Sequence, residues 1–153
     1  MIEIKENSNI CDVVEGVILQ GVNCQGVMGS GVAKQLRDKY PNIFIPYAAL
    51  CKKYWHDSEN LLGRVVTYYP DFRNKEFYIA NCFTQEFYGK DGKKYASYDA
   101  LESCLETVKG TKLPIHIPYL IGAGLGGLNE QVVLAIIEQT LSNNTVYLHK
   151  FKP

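Results

Sequence analysis

The residues whose types and spacing promise chemistry lie in the run Val22-Asn23-Cys24-Gln25-Gly26-Val27-Met28-Gly29-Ser30-Gly31-Val32-Ala33. A β-like stretch from Gly16 to Val22 enters it, and an amphipathic stretch from Val32 to Tyr40 leaves it at once. A strand, a glycine loop and a helix N-terminus in that order bring backbone N–H groups against an anion. Glycine permits close approach and positive φ, and the helix dipole favours negative charge. The loop lacks the Gly-Lys-Ser/Thr ending of a P-loop, and Gly26, Gly29 and Gly31 do not space as the dinucleotide fingerprint requires. Taken alone it is equally well explained as a tight turn. A second loop, Pro118 through Leu128 with glycines at Gly122, Gly124, Gly126 and Gly127, follows an apolar strand and precedes an amphipathic helix. Two such loops can grip the two sides of one diphosphate, so a phosphate-containing ligand is predicted.

Other reactive side chains carry less. Cys24 lacks the Arg that a cysteine phosphatase needs a few residues on to bind phosphate oxygens and lower the thiol pKa. His116 alternates with Ile115 and Ile117 on a presumed strand, the pattern of a structural histidine. His56 ends a helix beside Asp57 and Glu59, where solvated surface is expected, and His149 falls just beyond the last predicted strand, where it can border a ligand pocket. No metal-ligand spacing and no paired histidine is visible, so no metal or cofactor is expected.

These groups need elements to position them. The 153 residues fit one domain, 1–153, with room for a proper core. Acidic and basic side chains balance at 16 each, which excludes a global field attracting nucleic acid or an anionic surface. No apolar stretch is long enough to span a bilayer, and the N-terminal residues show no signal pattern. The five cysteines form no C-x-x-C pair, so reduced, mostly buried thiols in a cytoplasmic protein are expected.

Strands are predicted at Ile2 to Ile4, Glu15 to Val22, Gly63 to Tyr69, Glu76 to Phe83, Leu113 to Leu120 and Thr145 to Leu148. Helices are predicted at Val32 to Tyr40, Ile43 to His56 with a break at Pro46, Ser97 to Lys109 ending at Gly110, and Asn129 to Leu141. The turn Pro70-Asp71-Phe72-Arg73-Asn74 joins two β-rich runs as an antiparallel hairpin, and Gln85 to Lys94 reads as a surface loop. Strands alternating with helices, plus one hairpin, imply a mixed sheet sandwiched by helices. Both glycine loops then fall beyond the carboxyl ends of strands, where such sheets bind ligands.

The two loops, Asn23-Cys24 through Gly31-Val32-Ala33 and Ile121-Gly122-Ala123-Gly124-Leu125-Gly126-Gly127, together resemble those of a macrodomain, the ADP-ribose-binding module. The resemblance covers almost the whole chain. The segments Leu61-Leu62-Gly63-Arg64, Cys82-Phe83-Thr84 and Tyr95-Ala96-Ser97-Tyr98 look like the small stand-alone branch. That branch includes ADP-ribose-1''-phosphate phosphatases and enzymes that remove ADP-ribose from protein carboxylates or DNA. The resemblance implies an α/β fold with a mixed, mostly parallel central sheet between helices, in three layers, α/β/α. It places Asn9 and Ile10 at the adenine, and assigns the ligand loops to Gly29, Ser30, Gly31 and Val32 and to Ile121, Gly122, Ala123, Gly124, Leu125 and Gly126. It sets Asn23 beside the distal ribose, where its amide binds hydroxyls or orders a water.

Two departures matter. Gln20 stands where the phosphatase-like relatives carry a His. The strand Tyr78-Ile79-Ala80-Asn81-Cys82 lacks the Lys of relatives that cleave carboxylate or DNA linkages, and Gly127 replaces an Asp of the carboxylate-specific group. What remains is a slow, water-mediated hydrolysis positioned by Asn23, Gln20, Gln85 or Asn81, with backbone amides stabilising charge. Phe83, Phe87 and Tyr88, with Tyr95 and Tyr98, either wall the distal ribose or pack the loop. The expected activity is hydrolysis of ADP-ribose-1''-phosphate to ADP-ribose and phosphate by a monomer. The rivals are removal of ADP-ribose from modified protein or nucleic acid, and a non-catalytic reader of ADP-ribose.

Overall fold

The computed structural model describes residues 1–89, 91, 95–119, 121 and 126–151. In chain order the elements are β1 (Ile2–Glu6), β2 (Gly16–Asn23), α1 (Gly31–Lys39), α2 (Phe44–Lys53), β3 (Val65–Tyr68), β4 (Phe77–Gln85), α3 (Tyr98–Val108), β5 (Ile115–Pro118), α4 (Glu130–Thr140) and β6 (Val146–Lys150). The six strands form one sheet in the order β1-β6-β5-β2-β4-β3. Every neighbouring pair is parallel except β3–β4, the hairpin expected from the Pro70–Asn74 turn.

Alternation along the strands splits the core into two layers. Val17 and Leu19 of β2, Ala80 and Cys82 of β4 and Ile115 and Ile117 of β5 face α3 and α4. Ile18, Val22, Ile79 and Phe83 face the opposite way, toward Leu36 of α1 and Tyr47 and Cys51 of α2. Helices therefore cover both faces, in the three layers expected. Truncating a fully buried member such as Leu19 or Phe83 to Ala costs about 2–5 kcal/mol.

Several local expectations are corrected. Pro46 does not interrupt a helix: residues 41–43 form a separate 3-10 turn, and Pro46 sits in the first turn of α2, where its missing N–H has no intrahelical acceptor to lose. α3 ends at Val108 with Lys109 as its C-cap, one residue before the Gly110 expected to end it; Lys109 N donates to Leu105 O and Thr111 N to Val108 O. His149 lies inside β6, not beyond it. The strand expected at Leu113 to Leu120 contracts to β5. Leu120 and most of the second glycine loop, Gly122, Ala123, Gly124 and Leu125, lie outside the described residues, as do Lys90, Gly92, Lys93 and Lys94 of the polar loop.

One feature of the sheet positions the site. The chain order reverses between β2 and β5, and these strands pair only at Val17↔Ile115 and Ile18↔His116. From Leu19 onward β2 runs on beside β4 alone. The sheet thus forks at its topological switch point, which in open α/β sheets is the ligand-binding crevice.

Candidate ADP-ribose site

A cavity of about 580 Å³ occupies that fork, within the size range of small-molecule sites. Its walls are the second half of β2, the N-terminus of α1, the end of β4, and the segment after β5. The three residues expected to carry chemistry, Asn23, Gln20 and Gln85, all line it. So do Gly29, Ser30, Gly31 and Val32 of the first loop, and Ile121 and Gly126 of the second. Asn9 and Ile10 do not. Asn9 caps the short 3-10 turn at residues 10–12 by accepting from Cys11 N at 3.0 Å, and its amide nitrogen donates to Gln35 Oε1 at 3.3 Å. Ile10 is buried in the α1/α2 layer.

The first loop is braced by its own Asn. Asn23 Oδ1 accepts from Gln25 N at 2.9 Å, from Val27 N at 3.4 Å and from the Tyr47 hydroxyl at 2.8 Å, and Asn23 Nδ2 donates to Val27 O at 2.8 Å. The oxygen is saturated, so the capacity Asn23 retains toward the cavity is its second amide hydrogen. Tyr47 on α2 is the residue that sequence reading missed. Its hydroxyl also accepts from Val27 N at 3.1 Å, and its ring stacks on Phe83 with centroids 5.8 Å apart. Burial pushes the Tyr47 hydroxyl far above its ordinary range, which keeps it a donor. In sequence Tyr47 is one more apolar-face residue of a helix, and nothing local marks its oxygen as a brace. Behind the loop, Cys24 N and Gln25 Nε2 both donate to Glu86 O, at 3.1 Å each, tying it to the end of β4.

What the braced loop presents is a helix start. Ser30 is the N-cap of α1 but makes no side-chain cap bond, so the first N–H groups of the helix keep their capacity for a ligand. Gly31 has φ +61°, and a Cβ built there meets nothing within 4 Å. Glycine is thus required by conformation rather than by crowding. The arrangement suits an anion held by backbone donors and the helix dipole.

The remaining walls are uncharged, with apolar residues such as Val22, Ala33, Pro118 and Ile121 beside the polar ones. Gln85, expected to act on a water, donates through Nε2 to Phe87 O at 2.8 Å. Tyr88 and Thr84 also border the cavity, as the aromatic-wall reading of this loop requires for Tyr88. Gln20, at 1% exposure, donates through Nε2 to Asn81 Oδ1 at 2.7 Å. Cys24 is not a nucleophile: it is buried, and burial first, then the neighbouring Cys51 and Glu86, push its thiol up to about 12. All five cysteines are free and buried. Among the described residues no group of three or more His, Cys, Asp or Glu is placed to hold a metal ion.

The histidines are paired, which the sequence did not show. His116 Nδ1 and His149 Nε2 are 2.8 Å apart, and His149 Nδ1 lies 2.7 Å from Ser8 Oγ. Neither histidine lines the cavity.

A cavity at the fork of a mostly parallel sheet, beside a glycine loop and a helix N-terminus, is the geometry that the macrodomain resemblance implied. The Macro domain family model matches residues 19–137, and the chain belongs to that family. Its relatives include the ADP-ribose 1''-phosphate phosphatase of Saccharomyces cerevisiae, 31% identical over 94 residues, which span 61% of this chain and 51% of that protein. The DNA ADP-ribosyl glycohydrolase of Mycobacterium bovis is 28% identical over 128 residues, 80% of this chain and 35% of that one. This chain thus spans about half of the first relative and about a third of the second. The macrodomain of Mycobacterium tuberculosis DarG superposes with a TM-score of 0.76 over 99% of both chains at 22% identity, a likeness of fold. No helix among the described residues is long and apolar enough to cross a membrane.

Proposed function

We propose that this macrodomain binds ADP-ribose and hydrolyses ADP-ribose-1''-phosphate, releasing ADP-ribose and inorganic phosphate by attack of water on phosphorus. The observation that carries the reading is the cavity at the β2–β5 fork, where the α1 N-terminus meets Asn23, Gln20 and Gln85. The α1 N–H groups hold the diphosphate, with Ile121 and Gly126 also on the cavity wall. Asn9 and Ile10 lie outside the cavity, so the adenine contact expected of them is not part of this reading. Asn23 offers a hydrogen to a ribose or phosphate oxygen. The in-line water is ordered by amide groups rather than by a strong base, which predicts slow turnover. The relation to the yeast phosphatase supports this activity.

A second reading is removal of ADP-ribose from DNA. It is favoured by the mycobacterial glycohydrolase, whose match covers more of this chain. Against it, β4 carries no lysine.

The test is phosphate release from ADP-ribose-1''-phosphate, with ADP-ribose titrated by calorimetry on the same protein. Release that disappears in Asn23→Ala supports the phosphatase. Binding without release, combined with release of ADP-ribose from a modified oligonucleotide, supports the second reading. Absence of binding rejects both.

A further inference from the structure

Charge balances over the whole chain but not along it. The stretch from Lys39 to His56 holds three lysines and five aromatic residues and no carboxylate. It contains α2, whose inner side rests on the first glycine loop. The Tyr47 hydroxyl accepts from Val27 N, and a Cβ at Gly26 would lie 3.7 Å from Cys51 Cβ. The C-terminal end of α2 is left to solvent. Trp55 is 63% exposed, and Lys52, Lys53 and Arg64 are exposed beside it in sequence or through Tyr54. Arg64 Nη1 donates to the Tyr54 hydroxyl at 2.9 Å, and its guanidinium carbon sits 4.9 Å from the Tyr54 ring centroid. Phe83 N donates to Arg64 O at 3.0 Å, which puts this cluster at the end of β4 that reaches the cavity. Ser58 Oγ donates to Glu86 Oε2 at 2.7 Å and so ties the turn after Trp55 to the exposed Phe87 and Tyr88. Tyr88 is on the cavity wall. Lys52, Lys53 and Arg64 form no ion pair among the described residues. Of the carboxylates near them in sequence, Asp57 accepts from Asn60 at 3.0 Å, and Glu59 is exposed on the 3-10 turn at 58–61.

We propose that the surface made by Lys52, Lys53, Trp55 and Arg64, continued by Phe87 toward the cavity, docks single-stranded nucleic acid. Cations without carboxylate partners suit phosphates, and exposed planar rings suit unstacked bases, each of which offers a π-face. The two features together select the partner. A protein face would have to bring carboxylates to three cations and apolar groups to the rings, whereas one strand brings a phosphate and a base with every nucleotide. A duplex keeps its bases stacked on one another and has none to give Trp55. Because the chain as a whole is neutral, stacking carries as much of the affinity as the phosphate contacts do. The inference goes beyond the ADP-ribose reading: the strand need carry no ADP-ribose, and Trp55, Lys52, Lys53, Arg64 and Phe87 all lie outside the cavity.

Trp55 is the chain's single tryptophan, so its fluorescence reports stacking directly. The test is titration of a short unmodified oligothymidylate at several salt concentrations, with a duplex of the same length as control and ADP-ribose titrated by calorimetry on the same protein. The single strand is expected to quench the emission to saturation and the duplex to leave it unchanged. The affinity should fall with salt at a log–log slope of about −2, the counterion release of three cations on a single strand. By anisotropy of a labelled strand, Trp55→Ala should weaken binding roughly tenfold and Trp55→Phe much less. Replacing both Lys52 and Lys53 by Ala should bring the slope to about −0.7. ADP-ribose affinity is expected to stay that of wild type in every variant, which also shows that the fold is intact. No quenching at low salt, equal affinity for the duplex, or full strand binding by Trp55→Ala overturns the surface while ADP-ribose binding stands. Strand binding by a wild type that does not bind ADP-ribose overturns the ADP-ribose reading and leaves the surface.

Discussion

Two polar pairs bridge neighbouring strands on the α1/α2 face of the sheet, and they are finished to different degrees. Ser8, His149 and His116 form a closed relay. His116 Nδ1 lies 2.8 Å from His149 Nε2, and His149 Nδ1 lies 2.7 Å from Ser8 Oγ. Three of the four ring nitrogens have a partner within the relay, burial pulls both rings below the ordinary histidine range, and the relay lies outside the cavity. Gln20 and Asn81 share one bond and leave two buried amide atoms without a partner among the described residues, and Gln20, unlike Asn81, borders the cavity. Polar groups whose partners are all internal serve the fold.

The cavity side breaks most sharply at Gly31. Gly31→Glu puts a carboxylate where backbone donors face the diphosphate, and ADP-ribose affinity should fall more than about 100-fold by calorimetry. The side chain itself points into open space, so the far-ultraviolet circular dichroism should stay that of wild type, with a modest loss in midpoint from the φ of +61°. The opposite signature belongs to the relay. His149→Leu strands the Ser8 hydroxyl and His116 Nδ1, and should cost about 2 kcal/mol in urea unfolding while ADP-ribose affinity is unchanged. A loss of binding in that variant would erase the distinction between the two pairs.

Tyr47→Phe tests the ground between them, because Tyr47 belongs to the fold but braces the loop. Removing its hydroxyl should cost about 1 kcal/mol of stability and also weaken ADP-ribose binding several-fold, since Asn23 and Val27 lose their common partner. Acid gives the mildest perturbation. Burial first, then the charges of His149 and Lys5, pull His116 down to about 4; burial, then Lys5, lowers His149 as well. The unfolded chain therefore takes up protons near pH 6.5 that the folded one refuses. Stability present above that pH is lost as it falls toward about 4, and His149→Leu should flatten the decline.

The elements were legible because their signals are local. The periodicity of α3 and α4, the hairpin turn and the first glycine loop are all written within a dozen consecutive residues. Ser97 and Asn129 cap their helices through side-chain oxygens as such residues should. The polar networks were not legible, because register creates them. Ser8 and His149 are 141 positions apart and Gln20 and Asn81 are 61 apart, so both pairings exist only once the strand order is known. Gln20 could be singled out for its position before the Asn-Cys of the loop, but not its bond to Asn81. Pro46 was misjudged because a proline breaks a helix interior yet suits its first turn, and the 3-10 turn at 41–43 shifted the start.

The pairing of β1 with β6 has a consequence for how the chain acquires this shape. The Met1 amino group donates to Asn144 O at 2.9 Å, and Val146 N donates to Met1 O at 2.9 Å. The first strand of the sheet in chain order is thus matched in register, Ile2 to Val146 through Glu6 to Lys150, with β6, the last described. During synthesis β1 must wait as an unpaired edge while β2, β3 and β4 close their own ladder, and the Ser8 end of the histidine relay waits with it. Folding is expected to finish by a slow, long-range step that zips β1 onto β6, with the β2–β4 half already assembled.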